Sequence, residues 1–318
     1  MEVDRREERG QDMVVEMELR ILNWRCIADE KIELSKKINI FFGKNSTGKS
    51  SVAYAIYMLG RLHEKDPESL VSSLFGERLQ SLVRIENGDR KYPLELSLKS
   101  DDRESSIILD SDGLKVKKKD QIWSETYMAI AGRYGLLLTY SALSDFLSSV
   151  MKDEVSKEEK KKTIKLLSAF LSAINPSLRS SLLATYPISE VKDSPSGLVD
   201  YTILNLMVSK AKNNSLIVIE EPESHKNPVM QIELMKNLIK AVKEKNLTLV
   251  LTTHSETIIH TVLKEIEEGY ISSDDVKFHH FIRSEQKSWT EIKEINVHED
   301  GSLEEPLEDF IEAFVELF

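Results

Sequence analysis

Residues 43 to 50 read Gly43-Lys44-Asn45-Ser46-Thr47-Gly48-Lys49-Ser50, a G-x-x-x-x-G-K-S pattern directly after the apolar run Ile38-Asn39-Ile40-Phe41-Phe42. The chemistry of that pattern is polyphosphate binding. Its two glycines let the backbone curl close around phosphate oxygens, Lys49 reaches the β and γ phosphates, and the Ser50 hydroxyl is placed to bind Mg²⁺. Ser51 continues into a helical run, Ser51-Val52-Ala53-Tyr54-Ala55-Ile56. The first N–H groups of that helix and its positive end add to the anion site.

Two later segments carry acids and a histidine at the ends of apolar runs. In Leu216-Ile217-Val218-Ile219-Glu220-Glu221-Pro222-Glu223, four apolar residues lead into carboxylates. A buried strand of a doubly wound sheet delivers such acids to its carboxyl end, beside the phosphate loop. There Glu220 can hold the Mg²⁺ shell while Glu221 orients or deprotonates an attacking water. In Leu249-Val250-Leu251-Thr252-Thr253-His254-Ser255 the strand ends in His254, which can sense the γ phosphate or position the water. His225, His260, His279, His280 and His298 have no comparable context, and no pair of them has metal-ligand spacing. Arg25 and Trp24 are candidates for contact with the nucleotide base, packing being the better reading of Trp24.

These residues need elements to position them. Alternating patterns over 14–22 and 27–34 predict two short strands before the strand that carries the loop. Between about 64 and 120, short alternating segments separated by Asn87-Gly88-Asp89 and Ser111-Asp112-Gly113 predict an antiparallel β lobe, one of its strands over 82–85. From 141 to 184 the period becomes helical, which predicts a small helical lobe interrupted at Asn175-Pro176. From 196 onward, helix (198–212), buried strand (216–219), helix (229–245), buried strand (247–252), helix (256–267) and strand (276–283) predict a mainly parallel sheet. An edge strand over 289–296, a turn at Glu299-Asp300-Gly301 and an amphipathic helix over 307–318 close the chain.

The expected fold class is therefore α/β: a P-loop NTPase core with a mainly parallel sheet, an antiparallel β lobe and a small helical lobe. Residues 1–12 read as a flexible tail and 13–318 as one domain, divided into 13–140 (β lobe with phosphate loop), 141–195 (helical lobe) and 196–318 (second half of the core). A length of 318 residues accommodates this, and 41% hydrophobic residues supply its core. The charged N-terminus lacks an apolar export segment and no apolar run approaches a bilayer span, so a cytoplasmic setting is expected. The single cysteine, Cys26, fits a reducing compartment and reads as a packed residue beside Trp24. A net charge of −11 argues against a surface that coats nucleic acid throughout. Two lysine runs, over 115–119 and 157–162, leave a local basic face open.

Together, Leu22-Asn23-Trp24-Arg25, the phosphate loop, Ile219-Glu220-Glu221-Pro222-Glu223 and Thr253-His254-Ser255 resemble the ABC-type ATPases of the SMC, RecF and OLD group, often labelled AAA-type ATPases. The segment over 127–137, which includes Arg133, is similar to a stretch of OLD-like members, and Ser194-Pro195-Ser196-Gly197-Leu198 stands where the group keeps its Ser-Gly signature. The resemblance implies ATP and Mg²⁺ as ligands. It also implies an ATP-dependent homodimer in which Ser196 and Gly197 touch the γ phosphate held by the other copy. The chain departs from the group in three respects: Glu220 stands where most members carry Asp, the signature has one glycine, and no glutamine marks a Q-loop. About 35 residues follow position 283, too few for an appended nuclease domain, and no heptad arm precedes Ser196. The function implied is an ATPase that drives or gates a DNA-related process, in repair or anti-phage defence, with DNA or a separate nuclease as partner and no membrane. A nucleotide-gated interaction module with little turnover is the alternative.

Overall fold

The computed structural model describes residues 17–75, 78–132, 196–283 and 289–307. The predicted tail (1–12), Arg133, the helical lobe (141–195), the second lysine run and all but the first residue of the last helix lie outside them. Elements are numbered within the described residues.

The first two alternating runs form a hairpin, β1 (Glu18–Trp24) and β2 (Ile27–Glu33). β3 (Ile38–Phe42) is buried at every residue and leads through the phosphate loop into α1 (Lys49–Gly60). That helix is buried at ten of its twelve positions, as a helix enclosed on all sides must be. The antiparallel strands β6 (Leu94–Ser100), β7 (Arg103–Asp110) and β8 (Gly113–Lys119) follow, then β9 (Thr126–Ala129). The remainder alternates: α3 (Ser196–Lys210), β10 (Leu216–Glu220), α4 (Pro228–Lys245), β11 (Thr248–Thr253), α5 (Glu256–Glu267), β12 (Val276–Arg283) and β13 (Thr290–Ile295). Ordinary chemistry sets the helix starts. Asn227 accepts the Met230 N–H at 2.9 Å ahead of Pro228, and Ser255 caps α5.

The strands join in one eleven-stranded sheet, ordered β8-β7-β6-β1-β2-β13-β12-β3-β11-β10-β9. β12, β3, β11, β10 and β9 run parallel; the meander from β8 to β2 is antiparallel. Every residue of β3, β10 and β11 is buried, because both faces of the parallel part are covered. Ile38, Ile40, Ile217, Ile219, Leu249 and Leu251 pack on the side of α3, α4 and α5. Phe41, Leu216, Val218 and Val250 pack on the side of α1 and the antiparallel strands.

Three expectations change. β13 is no edge strand: it lies between β2 and β12 and joins the antiparallel half of the sheet to the parallel half. A helix, α2 (Pro67–Phe75), occupies part of the region read as β, and its signal was Asp66-Pro67, a cap followed by proline at the first helical position. The strand expected over 82–85 is instead the end of a 3₁₀ turn (Leu79–Leu82), an isolated bridge between Val83 and Trp24, and the start of the short hairpin β4 (Ile85–Glu86) and β5 (Asp89–Arg90).

Candidate nucleotide site

The phosphate loop leaves β3 with positive φ at Gly43, Ser46 and Gly48 (134°, 62° and 99°). Such alternation turns successive N–H groups inward and makes a nest for an anion. The Lys49 ammonium donates to the carbonyls of Gly43 and Lys44, at 2.7 Å each, so its stem arcs back over the loop. Thr47 Oγ1 donates to the Lys44 carbonyl at 2.9 Å, while Lys44, Asn45 and Ser46 are exposed at the tip. Gly48 is glycine for two reasons: its φ, and a Cβ there would lie 2.6 Å from Cys26 Sγ. Ser50 lies half-buried in the first turn of α1, and the Ser51 carbonyl accepts Trp24 Nε1–H at 2.8 Å. That first turn carries no acid, so nothing there opposes an anion at the helix's positive end.

β11 lies between β3 and β10 and runs parallel to both, with Thr253 level with Phe42 and Thr252 level with Glu220. The structure thus brings three predicted segments to one mouth: the loop after β3, His254 after β11, and Glu220 and Glu221 at the end of β10. Glu221 adopts φ 45° and its N–H donates to the Thr252 carbonyl at 2.8 Å, a turn that swings its carboxylate across the end of β11. His254 Nε2 is 3.9 Å from Glu221 Oε1. Burial, and then the Lys49 charge, hold the His254 pKa below its ordinary value against the pull of Glu221, which keeps the imidazole neutral at pH 7. Glu223 Oε1 accepts the His254 backbone N–H at 2.7 Å, and burial pushes the Glu223 carboxyl up.

Glu220 is buried and its Oε2 accepts the Tyr54 hydroxyl at 2.7 Å and the Ala131 N–H at 3.3 Å. Burial, and then the Glu220 charge, push the Tyr54 hydroxyl up, so it remains a donor. Sequence reading gave no role to Tyr54, Ala131 or Glu223. Tyr54 could have been found: it lies four residues after Ser50, one turn along the same face of the helix. Ser50 and Glu220 are the residues that would hold a Mg²⁺ ion here, through oxygen donors of the kind that ion takes; among the described residues no cluster of three or more acids, histidines or cysteines offers a different metal cage.

Trp24 is fully buried core, as expected for packing. Arg25 is exposed in the turn between β1 and β2, where its charge acts on Tyr54. Ser196 and Gly197 belong to a second cluster. They begin α3, and Gly197 packs so closely on the loop after β10 that a Cβ would lie 2.3 Å from the His225 carbonyl oxygen. One turn on, Asp200 pairs with Lys226 inside the protein. The first lysine run lies on the edge strand β8, with Lys115 paired to Asp110 at 2.7 Å.

No described helix is long and apolar enough to cross a membrane. In sequence, the chain is 28% identical over 76 residues to the DNA replication and repair protein RecF of Acetivibrio thermocellus, covering 23% of this chain and 21% of that protein. It is 29% identical over 154 residues to the DNA double-strand break repair Rad50 ATPase of Archaeoglobus fulgidus, covering 46% of this chain and 16% of that one. The chain therefore matches about a fifth or less of the length of these curated relatives. In structure it is similar to an SMC head crystallised with the C-terminal winged-helix domain of ScpA, with a TM-score of 0.54 and 12% identity over 88% of this chain and 98% of that one. The α/β class and P-loop NTPase core expected from sequence are thus those of an SMC head. The model of the AAA ATPase domain matches residues 17–182 and 141–259, and the chain belongs to that family of ATPases.

Proposed function

We propose that the chain binds Mg-ATP at the loop after β3, closes into a homodimer around two nucleotides, and hydrolyses them. The observation that carries this reading is the adjacency of His254 and Glu221, 3.9 Å apart, at the end of the strand between the phosphate loop and Glu220. Residues 43–51 would cradle the phosphates, with Lys49 exchanging its loop carbonyls for the β and γ oxygens. Bound Mg²⁺, held by Ser50 and through Glu220, would supply charge neutralisation between those phosphates. Glu221 would take the proton of the attacking water, and the neutral His254 would orient that water or the γ phosphate. Arg25 would lie against the nucleotide, and Ser196 and Gly197 would reach the γ phosphate held by the partner copy. Because α3 is packed on the loop that follows Glu221, closing of the dimer would bear directly on the hydrolytic residues.

The names of the RecF and Rad50 relatives support a DNA-related role in repair; a role in defence, DNA or a separate nuclease as partner, and a cytoplasmic setting are part of the same proposal. Light scattering on the Glu221→Gln variant tests the dimer. Mg-ATP should convert it from monomer to dimer, and adding Ser196→Ala should abolish the conversion while ATP binding persists; a monomer throughout refutes dimerisation. Phosphate release that rises on adding duplex DNA supports the DNA link, and a rate indifferent to DNA counts against it.

A further inference from the structure

β13 meets β2 through one backbone pair, Thr290 with Ile27, at the point where the sheet passes behind the phosphate loop. Thr290 is fully buried there. Its N–H donates to the Cys26 carbonyl at 2.9 Å, and its hydroxyl donates to the Thr47 carbonyl, inside the loop, at 2.7 Å. Gly48 packs against the same pair, its would-be Cβ lying 2.6 Å from Cys26 Sγ and 3.5 Å from Thr290 Oγ1. The Thr47 carbonyl and the Gly48 N–H belong to one planar trans peptide, in which the two groups point in opposite directions. A carbonyl drawn back toward Thr290 therefore sends the Gly48 N–H to the open side of the loop.

We propose that Thr290 is a positioning residue for the nucleotide: its hydroxyl fixes the orientation of the Thr47–Gly48 peptide and so presents the Gly48 N–H to a phosphate. A strand far along the chain thereby presets the cradle, which a free loop would have to order on binding. The inference rests on the nucleotide-binding reading above. Its action falls on a phosphate that ATP and ADP both carry, not on the hydrolytic step.

Thr290→Val keeps the shape and removes the hydroxyl, and Thr290→Ser restores it. Titration with ATP and with ADP, alongside amide hydrogen exchange of the protein without nucleotide, tests the proposal. Thr290→Val should weaken both nucleotides alike, by roughly tenfold as expected for one lost hydrogen bond near a charge. It should also speed exchange within 43–51 while β12 and β13 stay protected, and Thr290→Ser should return both measures to within about twofold of wild type. Wild-type affinity and exchange in Thr290→Val overturn the inference, as does equal loss in the Val and Ser variants. A wild-type protein that binds neither nucleotide overturns the functional reading itself, and is told apart by that result.

Discussion

Tyr54 and Glu220 are joined by a 2.7 Å hydrogen bond that ties the helix after the phosphate loop to the strand bearing the acids. Glu220 is one methylene longer than an aspartate, and a longer carboxylate has more rotamers to lose. Tyr54 and the Ala131 N–H both bond its Oε2 and restrict that freedom. Tyr54→Phe should weaken the Mg²⁺ dependence of ATP binding about tenfold, the scale of one hydrogen bond to a charged group, and leave metal-free ATP binding unchanged. Titrating Mg²⁺ into the protein with a fluorescent ATP analogue measures this; an unchanged Mg²⁺ midpoint contradicts it.

Lys226 and Asp200 form an ion pair with side chains 0% and 1% exposed, and it fastens α3 to the loop after β10. Removing one partner leaves a buried charge. Asp200→Asn should lower the unfolding free energy by about 3–5 kcal/mol in urea titration, and the double change Asp200→Leu with Lys226→Met should recover most of that loss. A single variant as stable as wild type would show that the pair holds nothing together.

Glu30 of β2 faces the seam with β13. Burial pushes its carboxyl up to about 7; the Ile292 backbone N–H opposes the shift, and Glu291 and Asp29 add to it. The folded value exceeds the ordinary one of 4.5, so the folded state holds an extra proton between those values. The stability from this site is complete below pH 4.5 and is lost as pH rises through 7. Glu30→Gln should therefore be more stable than wild type at pH 8, by about 1–2 kcal/mol after allowing for solvent screening, and the gain should shrink toward pH 5. Urea unfolding at the two pH values measures it; a pH-independent difference contradicts the account.

The parallel part of the fold was legible because strands covered on both faces are buried along their whole length and read as mainly apolar runs, as β3, β10 and β11 do. The order of those strands was not. That β11 separates the loop from the acids is a fact of long-range pairing, which no local pattern records. The same holds for β13: its alternating, charged sequence reads as an edge strand, yet it fills the seam between two half-sheets. At the site, Lys49 stood out by the G-x-x-x-x-G-K-S pattern, and Glu220, Glu221 and His254 because they close apolar runs. Tyr54 and Thr290 did not, since a tyrosine in a helix and a threonine opening a strand acquire meaning only from the atoms they meet.

The central claim, that Lys49, Glu221 and His254 form a site that hydrolyses ATP, is tested most directly by phosphate release from Mg-ATP, with ATP affinity measured on the same samples. Wild type should turn over. Glu221→Gln should bind ATP within about threefold of wild type and lose roughly a hundredfold or more in rate, the scale of a missing general base. Wild type without ATP affinity, or Glu221→Gln with undiminished turnover, would contradict the account.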